Sequence, residues 1–291
     1  MKDLRQTVTN TIIEALSNGG LPPWRKPWAD DPNAPGLHTS MSTKSPYRGI
    51  NQLLLMVAAM RHGFTSKWWA TYHQIQQHKA TVNKGEKGTH VVLFKRIERT
   101  KLDDDGDEVK DKFAVLRSFV VFNADQCTGL DKFRVGFGKP EIDEHRYENA
   151  DAAIAAIGAD IRYGGNQAFY NLLGDYIQLP HRHQFETPEA FLETSFHEHC
   201  HWSESRIGVD RASDGYAMLE LVAELSACLL MAELGLSTTT NLNNHASYLK
   251  NWLDGMAGDP KFIFKAAAQA SKAVDYLLSF SRKPVEEPVL A

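Results

Sequence analysis

The residues best suited to catalysis form a His-Glu-x-x-His pattern in the segment 195–202, SFHEHCHW. On a helix, His197 and His201 lie one turn apart and project from the same face. Their imidazoles are therefore placed to occupy two corners of a zinc tetrahedron, with Glu198 turned toward the open corner. A carboxylate at that corner accepts a proton from a water molecule that the metal activates. The pattern predicts a metal-dependent hydrolytic site in which Glu198 is the catalytic base.

A third metal ligand is expected from the next long helical segment, residues 216–234, which is mostly apolar. Glu220 and Glu224 lie one turn apart on one face of this segment, and buried carboxylates need a charged or hydrogen-bonding partner. We predict Glu220 as the third ligand and Glu224 as a hydrogen-bond partner of a ligating imidazole; the reverse assignment stays open. An ion-paired helix pair without a metal is the alternative interpretation. Zinc is the predicted cofactor, and another divalent metal such as manganese would suit the same donors.

Helix signals on both sides of the pattern predict a mainly helical domain around it. Thr187 is predicted to cap the helix that carries the two histidines, and Pro188 suits its first turn. Further helices are predicted over residues 148–160, 244–256 and 260–280. These helices would hold the metal ligands in a rigid frame.

A β-hairpin is predicted before the histidine helix, with strands at 168–170 and 175–179 and a turn at 171–174. Because Pro180 ends the second strand, we place that strand at the edge of a sheet, where it would pair with an extended peptide. A hydrolytic site also needs a hydrogen-bond donor for the developing oxyanion. The sequence does not rank the three candidates, which are Tyr216, His245 and Tyr248.

The first half of the chain differs from the second in charge. Residues 1–140 contain 21 Lys and Arg against 14 Asp and Glu, whereas residues 141–291 contain 11 against 22. Bases stack on aromatic rings and phosphates bind near Lys and Arg, so the basic and aromatic segments of the first half predict a surface for single-stranded DNA. The predicted DNA-binding residues are Trp24, Arg25, Lys26, Tyr47, Arg48, Lys67, Trp68, Trp69, Tyr72, Lys84, Lys87, Lys95 and Arg96.

Local patterns predict an α+β fold for this first half. Helices are expected over residues 4–16 and 49–62, where apolar residues recur with helical spacing. The apolar run 91–94 is typical of a strand, and its predicted partner is the segment 113–122. The acidic segment 103–108 would join the two strands as a solvated turn, which gives a small antiparallel sheet.

Composition excludes several classes of protein. The chain is 43% apolar and 23% charged, as in ordinary globular proteins. No run approaches the roughly 18 apolar residues of a membrane-spanning helix, and the first residues do not have the pattern of a signal peptide. Three widely spaced cysteines argue against a disulfide framework. We therefore expect a cytoplasmic protein without a membrane partner, divided into a DNA-binding domain (1–138) and a metallopeptidase domain (139–291).

Several segments of the chain resemble the ArdC-like antirestriction family. In the first half they are 47–51 (YRGIN), 69–72 (WATY), 83–88 (NKGEKG) and 121–126 (VFNADQ). In the second half they are 175–180 (DYIQLP), 197–202 (HEHCHW), 221–225 (LVAEL) and 244–248 (NHASY). The segments follow one another in the same order as in that family. One departure is Leu219, which stands where the family usually has the first of two adjacent glutamates.

The resemblance implies a protein of a plasmid, phage or other mobile element that binds single-stranded DNA and shields incoming DNA from host restriction. It also implies a zincin-like, gluzincin-type fold for the second domain. Three functions follow as hypotheses. The protein protects DNA as a binder, it cleaves a host protein such as a restriction component after DNA has localised it, or it is a single-strand-binding accessory factor in conjugation or replication.

Overall fold

The structure is a computed structural model that describes residues 4–17, 22–25, 33–34, 36–102, 108–137, 145–239 and 246–282. Its helices are α1 (Leu4–Ser17), α2 (Ile50–His62), α3 (Tyr72–Gln77), α4 (Arg146–Ile157), α5 (Pro188–Ser203), α6 (Arg211–Asp214), α7 (Tyr216–Glu233), α8 (Ala246–Gly258) and α9 (Phe262–Ser279). Its strands are β1 (Thr39–Ser40), β2 (Trp68–Ala70), β3 (Thr81–Val82), β4 (Thr89–Leu102), β5 (Glu108–Asn123), β6 (Cys127–Thr128), β7 (Asp160–Tyr163), β8 (Phe169–Asn171) and β9 (Tyr176–Leu179).

One long hairpin supplies two of the four strands of the N-terminal sheet. Strand β4 pairs antiparallel with residues 108–121 of β5 over its whole length, and the segment between the strands, residues 103–107, lies outside the described residues. The sheet order is β1-β2-β5-β4, with β2 antiparallel to β5 and β1 parallel to β2. The predicted antiparallel pair is confirmed, although both strands extend beyond the predicted segments.

Helix α2 connects this sheet to the rest of the protein. It ends at His62 because Gly63 adopts the left-handed conformation (φ 68°), in which its N–H bonds the carbonyl of Ala59. The Asn51 side chain accepts from the backbone N–H of Val92 and donates to the carbonyl of the same residue, both at 2.7 Å. Asn51 thereby fixes α2 against β4.

The second sheet lies beside the histidine helix and corrects one prediction. The hairpin of β8 and β9 forms as predicted, with Phe169 opposite Gln178 and Asn171 opposite Tyr176. However, β7 pairs parallel with the other side of β9, so the order is β7-β9-β8. The prediction that residues 175–179 form an edge strand is therefore wrong. The edge strand next to the site is β8.

The largest apolar cluster joins the predicted domains. Helix α1 packs against α8, and α2 packs against α9. One continuous cluster of buried side chains includes Ile12 and Leu53 from the first half and Phe196, Leu221 and Ile263 from the second. None of the described helices combines the length and apolar character that spanning a membrane requires. The core therefore makes the helices of both halves one frame around the histidine pattern.

Candidate metal centre

Helices α5 and α7 bring the three predicted metal ligands together. The Nε2 atoms of His197 and His201 are 3.2 Å apart. The carboxylate of Glu220 lies across from them, with one oxygen 3.5 Å from His197 Nε2 and the other 3.5 Å from His201 Nε2. One ligand atom from each residue lies within 4.8 Å of the others. The three side chains converge on one point between the two helices.

The donor atoms fit a divalent metal. Tetrahedral coordination with metal–nitrogen bonds of about 2.0–2.1 Å separates two ligating nitrogens by about 3.3–3.4 Å, and the two imidazole nitrogens here are 3.2 Å apart. Two imidazoles and one carboxylate are a donor set that both zinc and manganese accept. The remaining direction faces an open cleft, so the arrangement leaves one position for a water molecule or substrate.

The charges at the site also favour a cation. Burial lowers the pKa of the His197 imidazole, but the hydrogen bond to Glu220 and the nearby carboxylates raise it, and the net direction is upward. Burial raises the pKa of Glu220, whereas its contacts with His197 and His201 lower it, and the net direction is downward. Both shifts show that the site stabilises positive charge beside an ionised Glu220.

A carboxylate that the sequence analysis missed orients one ligand. Glu204, at the end of α5, lies with Oε1 2.7 Å from His201 Nδ1, and Arg211 donates to its other oxygen. With Nδ1 donating to Glu204, His201 presents the lone pair of Nε2 to the metal. The sequence could have indicated this contact, because Glu204 follows His201 by three positions and residues three apart on a helix are neighbours.

Glu198 lies beside the ligands and lines a cleft of about 450 Å³. Its side chain is buried, which raises the pKa of its carboxyl, while the imidazoles of His197 and His201 oppose that rise. The nearby backbone of Tyr170, in the edge strand β8, also lowers the pKa of this carboxyl. The cleft therefore has the three candidate ligands on its floor, Glu198 beside them and a strand edge along one wall.

Glu224 has a different role from the predicted one. Both of its carboxylate oxygens accept from Arg25, with Nη2 at 3.0 Å from Oε2 and Nε at closer range to Oε1. Arg25 also pairs with Glu193 of α5 at 2.5 Å. The prediction that Glu224 is the hydrogen-bond partner of a ligating imidazole is therefore wrong, since that partner is Glu204 for His201. Arg25 instead bridges α5 and α7 one turn away from the ligands.

Two of the three candidates for oxyanion stabilisation lie at the cleft. The hydroxyls of Tyr216 and Tyr248 are 2.9 Å apart, and both rings line the cleft. A hydrogen bond to Tyr248, together with burial and the charge of Glu220, raises the pKa of Tyr216, so its hydroxyl stays protonated and able to donate. His245 lies outside the described residues.

The remaining histidine and cysteines of these two helices have packing roles. His199 is fully buried, and burial lowers its pKa to about 4 although a hydrogen bond to the Ser195 backbone opposes the shift. Burial raises the pKa of the Cys200 thiol to about 12, and it also raises the pKa of Cys228. These groups stay neutral, and their side chains are buried between the helices.

Comparisons with known proteins identify the family. Residues 2–122 match the N-terminal domain of anti-restriction factor ArdC, and residues 148–269 match a zincin-like metallopeptidase. The metal-free crystal structure of the antirestriction protein ArdC from plasmid R388 superposes with a TM-score of 0.77 and 38% identity, covering 96% of this chain and 98% of that one. The chain belongs to the ArdC antirestriction family. The Mn(II)-bound ArdC structure gives a TM-score of 0.76 and 35% identity over 97% of this chain and 99% of that one.

Two further relatives match almost the whole chain. DNA primase TraC of Escherichia coli is 36% identical over 98% of this chain, which spans only 28% of TraC. Protein y4eC of Sinorhizobium fredii (strain NBRC 101917 / NGR234) is 34% identical over 94% of this chain and 91% of y4eC. With the zincin-like match and the Mn(II)-bound ArdC structure, the donor set above supports a divalent-metal site.

The structure corrects three predicted DNA contacts within the ArdC N-terminal match. Trp24 is fully buried against Trp252, with ring centroids 6.3 Å apart. Arg25 is 1% exposed, and its guanidinium pairs with the buried carboxylates of Glu193 and Glu224. Trp69 is also fully buried, and its Nε1 donates to His38 Nδ1 at 3.0 Å. These side chains have no surface on which a base or phosphate could bind, so the prediction for them is wrong.

The other predicted DNA-binding residues of this chain differ in their exposure to solvent. Arg48 is partly exposed but pairs with Asp275 at 3.1 Å and Glu233 at 3.6 Å. Tyr47 is half-buried, whereas Tyr72 is 54% exposed. Lys67 and Trp68 are half-buried, and Lys84 and Lys87 are exposed in the turn before β4. Lys26 and the side chains of Lys95 and Arg96 lie outside the described residues.

Proposed function

We propose that this ArdC-family protein binds single-stranded DNA, protects incoming DNA of a mobile element from host restriction and carries a zinc-dependent peptidase site. The observation that carries the peptidase part is the convergence of His197, His201 and Glu220 beside Glu198 in an open cleft. The names of the relatives support the connection with DNA, since ArdC of R388 is an antirestriction protein and TraC is a DNA primase.

Zinc is the proposed resident metal, because two imidazoles, one carboxylate and an open position form the donor set of a catalytic zinc site. The metal, when bound, would supply Lewis acidity toward a substrate carbonyl and toward water. Metal analysis of the protein purified without chelator tests this proposal. Zinc near one equivalent supports it, whereas manganese in its place would assign the site to manganese.

The chain's own groups would perform the remaining steps of peptide hydrolysis. Glu198 accepts a proton from the attacking water and delivers it to the leaving amine. The hydroxyls of Tyr216 and Tyr248 share one hydrogen bond, so the hydroxyl whose proton that bond does not use would donate to the developing oxyanion. The edge strand β8 offers backbone groups to an extended peptide along the cleft wall. Each role depends on a side chain or backbone group that borders the same cleft.

Substitution of Glu198 by Gln separates peptidase-dependent protection from protection by binding alone. Glu198→Gln preserves the three ligands and removes the base, and Glu186→Gln on the exposed loop before α5 is the matched control. We expect the Glu198 variant to lose protection of transferred DNA in a restricting host while the control retains it. Full protection by both variants would show that DNA binding suffices and would leave the peptidase proposal unsupported.

The DNA part of the proposal is tested by fluorescence anisotropy of a labelled single-stranded oligonucleotide across a salt series, with a duplex of equal length as control. We expect salt-dependent binding that favours the single strand. Binding to neither form would refute the DNA part. Single-strand binding without protection from restriction would favour the accessory-factor function instead.

A host restriction component is the proposed peptidase substrate, because its cleavage would explain protection and catalysis together. Incubation of the protein with purified restriction subunits, in the presence and absence of single-stranded DNA, tests this assignment. We expect cleavage by the wild type that Glu198→Gln abolishes. Intact subunits under every condition would exclude them as substrates.

A further inference from the structure

Three lysines and two aromatic rings form a compact cluster on the N-terminal half. The ammonium of Lys44 lies over two rings, 4.6 Å from the centroid of Trp68 and 4.4 Å from that of Phe133. Lys67 Nζ lies 5.2 Å from the Trp68 ring, and Lys132 Nζ lies 5.0 Å from the Phe133 ring. We call these five residues the lysine–aromatic cluster. Lys44 and Lys132 are exposed and Trp68 is half-buried, so the cluster faces solvent.

Hydrogen bonds hold the frame of this cluster in place. Trp68 Nε1 donates to Asn33 Oδ1 at 2.7 Å, and the Asn33 amide nitrogen donates to the carbonyl of Lys132 at 3.2 Å. The Ser66 hydroxyl donates to the carbonyl of Phe133 at 2.6 Å, and Trp68 and Phe133 pack edge to face at 5.4 Å. The rings and the attached backbone are thus arranged before any ligand binds.

The backbone of Lys44 is also unusual. Its φ is 57°, in the left-handed region that non-glycine residues rarely adopt. Uncommon backbone conformations of this kind occur often at ligand sites.

Two of the three lysines, Lys44 and Lys132, lack a close counter-ion among the described residues. Within the part of the chain that the structure describes, neither Lys44 nor Lys132 has a carboxylate partner within salt-bridge distance. Among the described acids, Asp131 pairs with Arg134 at 3.7 Å, and Asp125 accepts the backbone N–H groups of Thr65 and Ser66. Burial and the charge of Lys132 lower the pKa of Lys44, which is the direction expected for crowded cations. An anion bound between the lysines would relieve this repulsion.

We propose that the lysine–aromatic cluster is the principal contact of this protein with single-stranded DNA, in which Lys44 and Lys132 bind backbone phosphates and a base stacks on the exposed part of Trp68. This inference rests on the proposed single-strand binding and gives it a location. Ammonium groups beside a partly exposed ring match the chemistry of a single strand, which offers a phosphate and an unstacked base together. Duplex DNA offers the phosphates but keeps its bases stacked.

The test uses the full-length protein and the anisotropy assay described above. In the double variant Lys44→Gln/Lys132→Gln, the plot of the logarithm of the binding constant against log salt is expected to be shallower, with a slope smaller in magnitude by about 1.4. Each phosphate contact on a single strand contributes about 0.7 to that magnitude. At 0.1 M salt that loss corresponds to binding about 25-fold weaker. The matched control is Lys250→Gln/Lys261→Gln, which removes two exposed lysines, one in α8 and one just before α9, and is expected to bind like the wild type.

The outcomes separate this inference from the proposed function. Wild-type protein that binds no single strand refutes the proposed function itself. Wild-type binding that the Lys44/Lys132 variant retains in full, like the Lys250/Lys261 control, refutes the location.

An abasic oligonucleotide of the same length tests the stacking part. It is expected to bind about 5- to 150-fold more weakly than the normal strand, the loss typical of one stacked base. Equal affinity for both strands would show that the cluster binds phosphate alone and would refute the role of Trp68. A Trp68→Phe variant that retains the ring is expected to bind better than Trp68→Leu. Circular dichroism of each variant confirms that the fold is intact.

Discussion

Replacement of Arg25 by Gln tests the buried contact that joins the N-terminal segment to the metal-ligand helices. The guanidinium is 1% exposed and pairs with Glu193 and Glu224, whose side chains are 9% and 2% exposed. Its removal leaves two buried carboxylates without their shared cation. Loss of one partner of a buried pair costs about 3–5 kcal/mol, which lowers the folding equilibrium constant by about two to four orders of magnitude.

The assay is urea unfolding followed by circular dichroism, with Arg48→Gln as the control. Arg48 also bridges to acidic residues, but its pair with Asp275 is 45% and 58% exposed, so that control should cost less than about 1 kcal/mol. The variant Arg25→Gln/Glu193→Gln/Glu224→Gln should recover much of the stability, because no buried charge is left unpaired. Equal losses for Arg25→Gln and Arg48→Gln would refute the reasoning.

Metal affinity gives a second measurement on the same variant. Glu193 lies one turn before His197 on α5, and Glu224 lies one turn after Glu220 on α7. Without Arg25 the two carboxylates repel each other, which moves the ligand helices apart. We expect manganese or zinc to bind about 10- to 100-fold more weakly by calorimetric titration, the range typical of losing an orienting contact. Unchanged affinity would show that Arg25 stabilises the fold without positioning the ligands.

Three further predictions address single residues. Glu204→Gln weakens the anchor of a ligating imidazole and should reduce zinc affinity about 10- to 100-fold in a competition titration; unchanged affinity would contradict its orienting role. Burial raises the pKa of Asp214, but hydrogen bonds from Lys265 and Gln269 lower it, and the net pKa is below the usual value. The ionised Asp214 therefore stabilises the folded protein above about pH 4, and this stabilisation is lost as the pH falls through the lowered pKa. Asp214→Asn should therefore flatten the acid side of a stability–pH curve, and an unchanged curve would refute this. Gly88→Ala would place a Cβ 2.2 Å from Val120 Cγ1 and should cost about 1–3 kcal/mol in thermal unfolding, with a neutral result showing that the strand end adjusts.

Local signals in the sequence were enough to predict that His197, His201 and Glu220 come together, and to predict most helices. The spacing of His197 and His201 fixes their common face once a helix forms, and the cap at Thr187 with Pro188 fixes where that helix begins. The Thr187 hydroxyl accepts the N–H of Ala190 at 3.2 Å. Glu220 could be identified because a carboxylate on a nearly wholly buried helix needs a partner. Each of these inferences depends on neighbours within one or two helical turns.

The errors concern contacts between residues that are far apart in the sequence. Arg25 has the residue type of a phosphate contact, but its carboxylate partner Glu224 lies 199 positions away and is not implied by any local pattern. Trp24 was misassigned for the same reason, because its neighbour Trp252 belongs to α8. Strand β9 was placed at an edge because of the following proline, yet Pro180 lies just outside the strand and leaves its ladder complete.

The core shared by the two halves affects how such a gene can be exchanged between replicons. A recombination event between residues 138 and 139 would pair α1 and α2 with foreign partners for α8 and α9, and it would leave Glu193 and Glu224 without Arg25. A hybrid of two distant homologues should therefore fail to fold more often than the sequence identity between its parents would suggest. The matches to TraC and y4eC, which cover 98% and 94% of this chain, are what inheritance as a single cassette would produce.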